Sequence, residues 1–193
     1  MTSVLDYLLA QRTPFVVLPA PQARSPREAA AAHGVDVAEL ARTEVIVTGG
    51  GPVAVVIGAA DTFDLALARG AVRDPGARMA TVAEIRTLAQ GCEVGALPPL
   101  SLYLIAPVYV DASIAALEQV VFPAGRSSVL VCMRRADLFQ AQPVTVAALS
   151  RIETPEARTL SVVAPSRRIV LTDAELVPAH LAGPGTSGTL RSA

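Results

Sequence analysis

Ala41-Arg42-Thr43-Glu44-Val45-Ile46-Val47 leaves a polar helical turn and enters a β-branched run. A second run, Pro52 to Ile57, follows across Gly49-Gly50-Gly51. Two β-rich runs around a glycine turn predict a hairpin over Thr43 to Thr48 and Pro52 to Ile57. The apolar content of this pair predicts central strands. No Gly-Lys-Ser/Thr follows the three glycines and a strand comes next, so they read as a hairpin turn and not a phosphate loop. Arg42 is the cation at the junction of polar and apolar sequence, and strand alternation places Glu44 on its face.

Before the hairpin, Ser3 to Gln11 reads as a helix with Val4, Leu5, Leu8 and Leu9 on one face and Ser3 as cap. Phe15 to Leu18 is a short strand closed by prolines. Ser25-Pro26-Arg27-Glu28 is a capping box with proline at the first helical position, and its alanine-rich helix runs to Gly34. Asp36 to Leu40 predicts one more helical turn.

After the hairpin, a helix is expected over Phe63 to Ala71, and Thr81-Val82-Ala83-Glu84 opens another through Leu88. Glu93-Val94-Gly95-Ala96-Leu97-Pro98-Pro99-Leu100 excludes regular structure, since two prolines remove two amide donors and force an extended path. Val108 to Val110, Val120 to Phe122 and Ser128 to Cys132 read as strands, with short helices at Ile114 to Leu117 and Asp137 to Phe139. Beyond Pro143, a hairpin over Thr159 to Val163 and Arg168 to Leu171 is expected, then a flexible Gly/Pro/Ser tail from Gly183. Short helices alternating irregularly with mostly antiparallel strands give an α+β class with one mixed, curved sheet.

Composition narrows the chemistry. The 193 residues suffice for one domain with a substantial core. No apolar run approaches the ~18 residues of a membrane helix, and the start lacks a basic signal-peptide region, so a cytoplasmic protein is expected. A net charge of −1 gives no global nucleic-acid signature, and DNA is not an expected partner. All 16 basic residues are arginine, which excludes chemistry needing a lysine amine. Cys92 and Cys132 read as buried free thiols. His33 and His180 have no nucleophile motif and, with the scattered cysteines, make no zinc set, so neither metal nor cofactor is expected. Asp61 and Asp64 read as helix caps, with a catalytic carboxylate pair as the alternative. Gly95 and the prolines after it fix backbone amides with little side-chain cover, a geometry suited to a carbonyl oxygen or an ordinary surface turn.

The order of Ala29 to Val35, Ala41-Arg42-Thr43, Val56-Ile57-Gly58, Phe63-Asp64-Leu65, Val94 to Pro99, Tyr109-Val110-Asp111 and Ala124-Gly125 resembles the YbaK and prolyl-tRNA synthetase editing-domain family. These are free-standing aminoacyl-tRNA deacylases. The resemblance covers residues 1–142 and implies a single YbaK-like domain there, with a C-terminal extension over 143–182 and a tail over 183–193. It implies hydrolysis of mischarged aminoacyl-tRNA, with the tRNA 3′ end as partner, a synthetase or a second copy as further partners, and a small amino acid as the group removed. By position it assigns Arg42 and Gly95 to catalysis, and Thr43, Ala96, Leu97, Pro98, Pro99 and Gly125 to substrate binding. The family has lysine where Arg42 stands. Arginine keeps the charge but is planar, bulkier and never deprotonated, so the alternative is an inactive member that binds aminoacyl-tRNA or a protein.

Overall fold

The computed structural model describes residues 3–151 and the backbone of 169–170. The chain begins α1 (Val4–Ala10), β1 (Val16–Pro19), α2 (Pro26–Ala32), β2 (Ala41–Thr48), β3 (Gly51–Gly58) and β4 (Thr62–Phe63). It continues α3 (Leu65–Val72), β5 (Arg78–Met79), α4 (Val82–Leu88), α5 (Ser101–Leu104), β6 (Val108–Asp111) and α6 (Ala112–Ala115). Last come β7 (Gln119–Arg126), β8 (Val129–Arg134), α7 (Arg135–Gln140), β9 (Val144–Ala147), β10 (Ser150–Arg151) and β11 (Ile169–Val170).

The class is α+β, as the sequence predicts. The mixed sheet has the order β5-β2-β3-β6-β9, and its parallel pairings are β3–β6 and β6–β9. A second sheet, β11-β1-β8-β7, is antiparallel throughout, and β10-β4 form a two-stranded ribbon. A parallel bridge from Leu40 to Val121 brings the start of β2 against β7, joining the two main sheets at one point. The expected single sheet is thus divided, because β2 and β7 share only this bridge.

Strand alternation sorts the core into three. Ala41, Ala54, Val56, Val108 and Val110 of the mixed sheet share one cluster with Val120, Phe122, Val131 and Met133 of the other, closed by Leu8, Leu97, Leu100, Leu104 and Leu138. On the reverse of the antiparallel sheet, Leu18, Val121 and Leu130 pack on Ala29 and Ala30 of α2. On the reverse of the mixed sheet, Ile46, Val53, Val55 and Ile57 pack on Ala68 of α3 and on Leu149. Burying each of the Val, Leu, Ile, Phe and Met side chains among these contributes roughly 1.5–3 kcal/mol.

The helix ends show the sequence signals at work. Ser3 with Asp6, and Thr81 with Glu84, make complete capping boxes, while Asp64 accepts from Ala66 N and Leu67 N to open α3. Ser25 caps α2, but Glu28 turns its carboxylate to Arg24 N at 2.9 Å, so the second arm of that box is absent. The helical turn expected at Asp36 to Leu40 is a non-helical turn with Glu39 N on Asp36 O. Past Pro143, β9 is an edge strand of the mixed sheet and β10 pairs with β4, so the chain stays in the sheet network through Arg151. Of the later expected hairpin, Ile169–Val170 pairs with β1, and the rest lies outside the described residues, as do His180 and the expected tail.

Candidate functional site

Arg42 and Glu44 face away from the central cluster. Their cross-strand partners are Ile57 and Val55, which belong to the α3 side of the sheet. Arg42 Nη1 forms an ion pair with the Glu44 carboxylate, and Nη2 donates to the Asp61 carbonyl at 3.0 Å. That carbonyl is held by a turn in which Asp61 N donates to Gly58 O at 3.0 Å. Ser113 Oγ donates to Asp61 Oδ2 at 3.2 Å, so Asp61 is tied to α6 and does not cap α3. Arg27 donates to the Ala59 carbonyl of the same turn.

Below this turn lies buried Asp111. Burial pushes its carboxyl up, but donation from Ser113 and Leu149 outweighs that and leaves it below the usual aspartate range. It stays ionised to close the β6–α6 and β9–β10 connections.

Gly95 sits at the open end of its loop, exposed, at φ 87° and with nothing within 4 Å of where a Cβ would stand. A left-handed backbone of this kind disfavours side chains. Among the described residues its N–H donates to no protein acceptor. The loop is pinned on both sides to β7. Glu93 N donates to Gly125 O at 2.8 Å, Gly125 N donates to Ala96 O at 3.0 Å, and Ser127 N donates to Glu93 Oε2 at 2.8 Å. Those bonds hold the Glu93 carboxyl below the usual glutamate range, the Ser127 backbone N–H being the largest cause. Gly125, at φ 84°, lies where a Cβ would come 3.1 Å from Cys92 Sγ and 3.5 Å from a Val4 methyl.

Ala96, Leu97, Pro98 and Pro99 are buried and carry the loop back into the central cluster. Gln142, 5% exposed, accepts from Ser101 N at 2.6 Å and donates to Pro99 O at 2.6 Å. Thr43 is 6% exposed, and its buried hydroxyl has no partner among the described residues. Its cross-strand neighbour Val56 belongs to the central cluster, so Thr43 and Arg42 stand on opposite faces of β2.

The predicted residues therefore do not form one cluster, and Thr43 stands apart from both Arg42 and the loop. Gly95, Ala96, Leu97, Pro98, Pro99 and Gly125 form one loop assembly. Arg42 has a separate set of partners, and among the described residues no hydrogen bond joins it to that assembly. Sequence reasoning passed over Glu93 and Gln142, whose roles rest on contacts 34 and 43 residues away along the chain. It also treated the cysteines as buried, whereas Cys92 and Cys132 are half-exposed and not disulfide-bonded. His33 ends α2 with Nε2 2.9 Å from Pro19 O, while its buried Nδ1 has no partner among the described residues. Among the described residues no group of three His, Cys, Asp or Glu side chains could hold a metal, and no helix is long and apolar enough to cross a membrane.

Comparison with known proteins adds the family. Residues 20–141 match the model of the aminoacyl-tRNA editing domain, a span that includes Arg42, the Gly95 loop and Gly125. The chain is similar to the crystal structure of hypothetical protein APE2540, with 26% identity, a TM-score of 0.69, and coverage of 77% of this chain and 99% of that one. It is also similar to a candidate trans-editing enzyme for prolyl tRNA synthetase, with 27% identity, a TM-score of 0.63, and coverage of 70% and 85%. No curated protein matches. With well over half its length matched from the first strand's end to the last helix, the chain belongs to the aminoacyl-tRNA editing domain family.

Proposed function

We propose that the protein hydrolyses, in trans, the ester that joins a mischarged amino acid to the tRNA 3′ end, as YbaK-type deacylases do. The observation that carries this reading is the Gly95 turn, an open backbone corner with an unengaged N–H held in place by Gly125 and Glu93. Donors fixed before the reaction stabilise a developing oxyanion without reorganising. In this reading Gly95 N–H meets the ester carbonyl oxygen while water adds to its carbon. The bond to the ribose oxygen then breaks, that oxygen takes up a proton of the attacking water to become the free hydroxyl, and the amino acid leaves as a carboxylic acid that ionises.

Arg42 supplies the cation for the nucleotide end of the substrate. Thr43, Ala96, Leu97, Pro98, Pro99 and Gly125 shape the site from behind, since all but Gly95 in the loop's second half are buried. No metal or cofactor enters the reaction, and the compartment that fits it is the cytoplasm. A synthetase or a second copy of the chain would be a further partner.

The test is a panel of aminoacyl-tRNAs. Hydrolysis should exceed the spontaneous rate for at least one, with small amino acids first, and Arg42→Ala should lower kcat/KM about ten- to a hundredfold, the worth of a hydrogen bond to a charged group. No hydrolysis of any ester in the panel would sink the proposal. A second reading, a binding module without turnover, is favoured by one observation: the Arg42 guanidinium is already occupied by Glu44 and the Asp61 carbonyl. Saturable binding of charged tRNA without turnover, unchanged by Arg42→Lys, would decide for it.

A further inference from the structure

The two acceptors on Arg42 differ in kind. The Asp61 carbonyl is a fixed, neutral acceptor, held by its turn and by Ser113. Glu44 is a charged acceptor on a flexible side chain, two residues along the same face of β2. The carbonyl therefore orients the guanidinium, while the carboxylate cancels its charge. The side chains of Arg42 and Glu44 are 34% and 27% exposed, so solvent reaches the pair. Ion pairs in such settings contribute little, about 0–1 kcal/mol. An anion offering the guanidinium two oxygens can take Glu44's place at small cost, because phosphate matches the planar fork of donors. A neutral group cannot.

We propose that Glu44 is an internal competitor for Arg42, which occupies the guanidinium in the unliganded protein and yields it, at a cost in affinity, to a ligand that carries a nucleotide phosphate. A ligand with the same base and sugar but no phosphate leaves the Arg42–Glu44 pair closed. Glu44 thus weakens the hold of Arg42 on the phosphate-bearing end of a substrate and leaves ligands without a phosphate unaffected. The inference rests on the proposed function in one respect, that Arg42 is the cation facing the nucleotide end.

Calorimetric titration of the full chain with adenosine 5′-monophosphate and with adenosine separates the possibilities. Glu44→Gln should tighten the monophosphate about three- to fivefold, the span of a partly exposed ion pair, and leave adenosine unchanged. Glu44→Asp keeps the negative charge but shortens the reach to Arg42. It should give a similar gain, and it also carries the test should Glu44→Gln fail to fold. The gain should vanish when Arg42→Ala is added to Glu44→Gln. Weaker monophosphate binding in Glu44→Gln, an equal gain for adenosine, a gain that survives Arg42→Ala, a Glu44→Asp variant indistinguishable from wild type, or no monophosphate binding by any variant would each overturn the proposal. The deacylation panel reads a different quantity. Absent turnover with this binding pattern intact removes the hydrolase and keeps the role of Glu44, and turnover without the pattern does the reverse.

Discussion

The Arg42 end of β2 and the Gly95 loop are built from opposite materials. At Arg42 a side chain does the work, on a strand whose hydrogen-bond ladder to β3 would stand with almost any residue there. At Gly95 the backbone does the work, and side chains around it serve only to hold it. Substitution at the first should change charge and leave the fold; substitution at the second should change the fold locally and take the site with it. A β2 side chain that faces Glu44 and a carbonyl accommodates the planar guanidinium of Arg42.

The contrast breaks most visibly at Gln142. Its amide bridges Ser101 N and Pro99 O in a site 5% exposed, so Gln142→Ala leaves a buried donor and a buried acceptor unpaired. Each orphan costs about 1–3 kcal/mol, and urea unfolding should show a loss of about 2–4 kcal/mol. If the loss is under 1 kcal/mol, the loop does not depend on that bridge. Gly125→Ala comes next. A Cβ 3.1 Å from Cys92 Sγ at φ 84° strains both the backbone and the packing of loop on strand. The expected cost is about 1–3 kcal/mol, with deacylation falling by more than stability does, because the Glu93–Gly125–Ala96 bonds set the position of Gly95.

Thr43→Val sharpens the comparison from the other side. The hydroxyl is buried without a partner among the described residues, so replacing it by a methyl of the same shape should stabilise the protein by about 1 kcal/mol. Thermal unfolding measures that gain, and kcat/KM measured on the same variant tells whether the hydroxyl is kept for a ligand. A more stable and equally active Thr43→Val would remove Thr43 from the substrate-binding group.

How much of this could be read from the chain depends on where the information sits. The β2–β3 hairpin was legible because β-branched runs flank three glycines, and the Gly95 loop because its prolines forbid anything regular. The shared face of Arg42 and Glu44 followed from alternation, and the ion pair between them came from the structure. Its second acceptor, the Asp61 carbonyl, was not legible, because a backbone oxygen has no signature and its place depends on a turn 19 residues away. α5 was missed because it has four residues and no side-chain cap. β4, β5 and β10 span two residues each, too short for any period, and exist only through their partners. β9 was set apart as an extension because Pro143 looks like a break, yet its backbone pairs with β6 from the next residue on.

Glu93 gives the smallest effect and the finest test of whether the loop is held by its backbone alone. Its carboxylate accepts from Ser127 N across the loop, and this bond, with the Ser127 side chain and Arg126 adding to it, lowers its pKa from the ordinary 4.5. A carboxyl with a lowered folded pKa contributes stability that is full above the unfolded value and is lost as pH falls through the folded one. Wild type should therefore exceed Glu93→Gln in stability at pH 7 by less than about 1 kcal/mol, since the group is exposed and screened. The gap should narrow below pH 4.5 and close as the folded pKa is passed. Melting temperatures of both proteins between pH 7 and pH 3 give the curve. A gap that stays constant across that range would mean that the glutamine amide is the difference and the charge is not, and the backbone bonds to Gly125 would then suffice to hold the Gly95 turn.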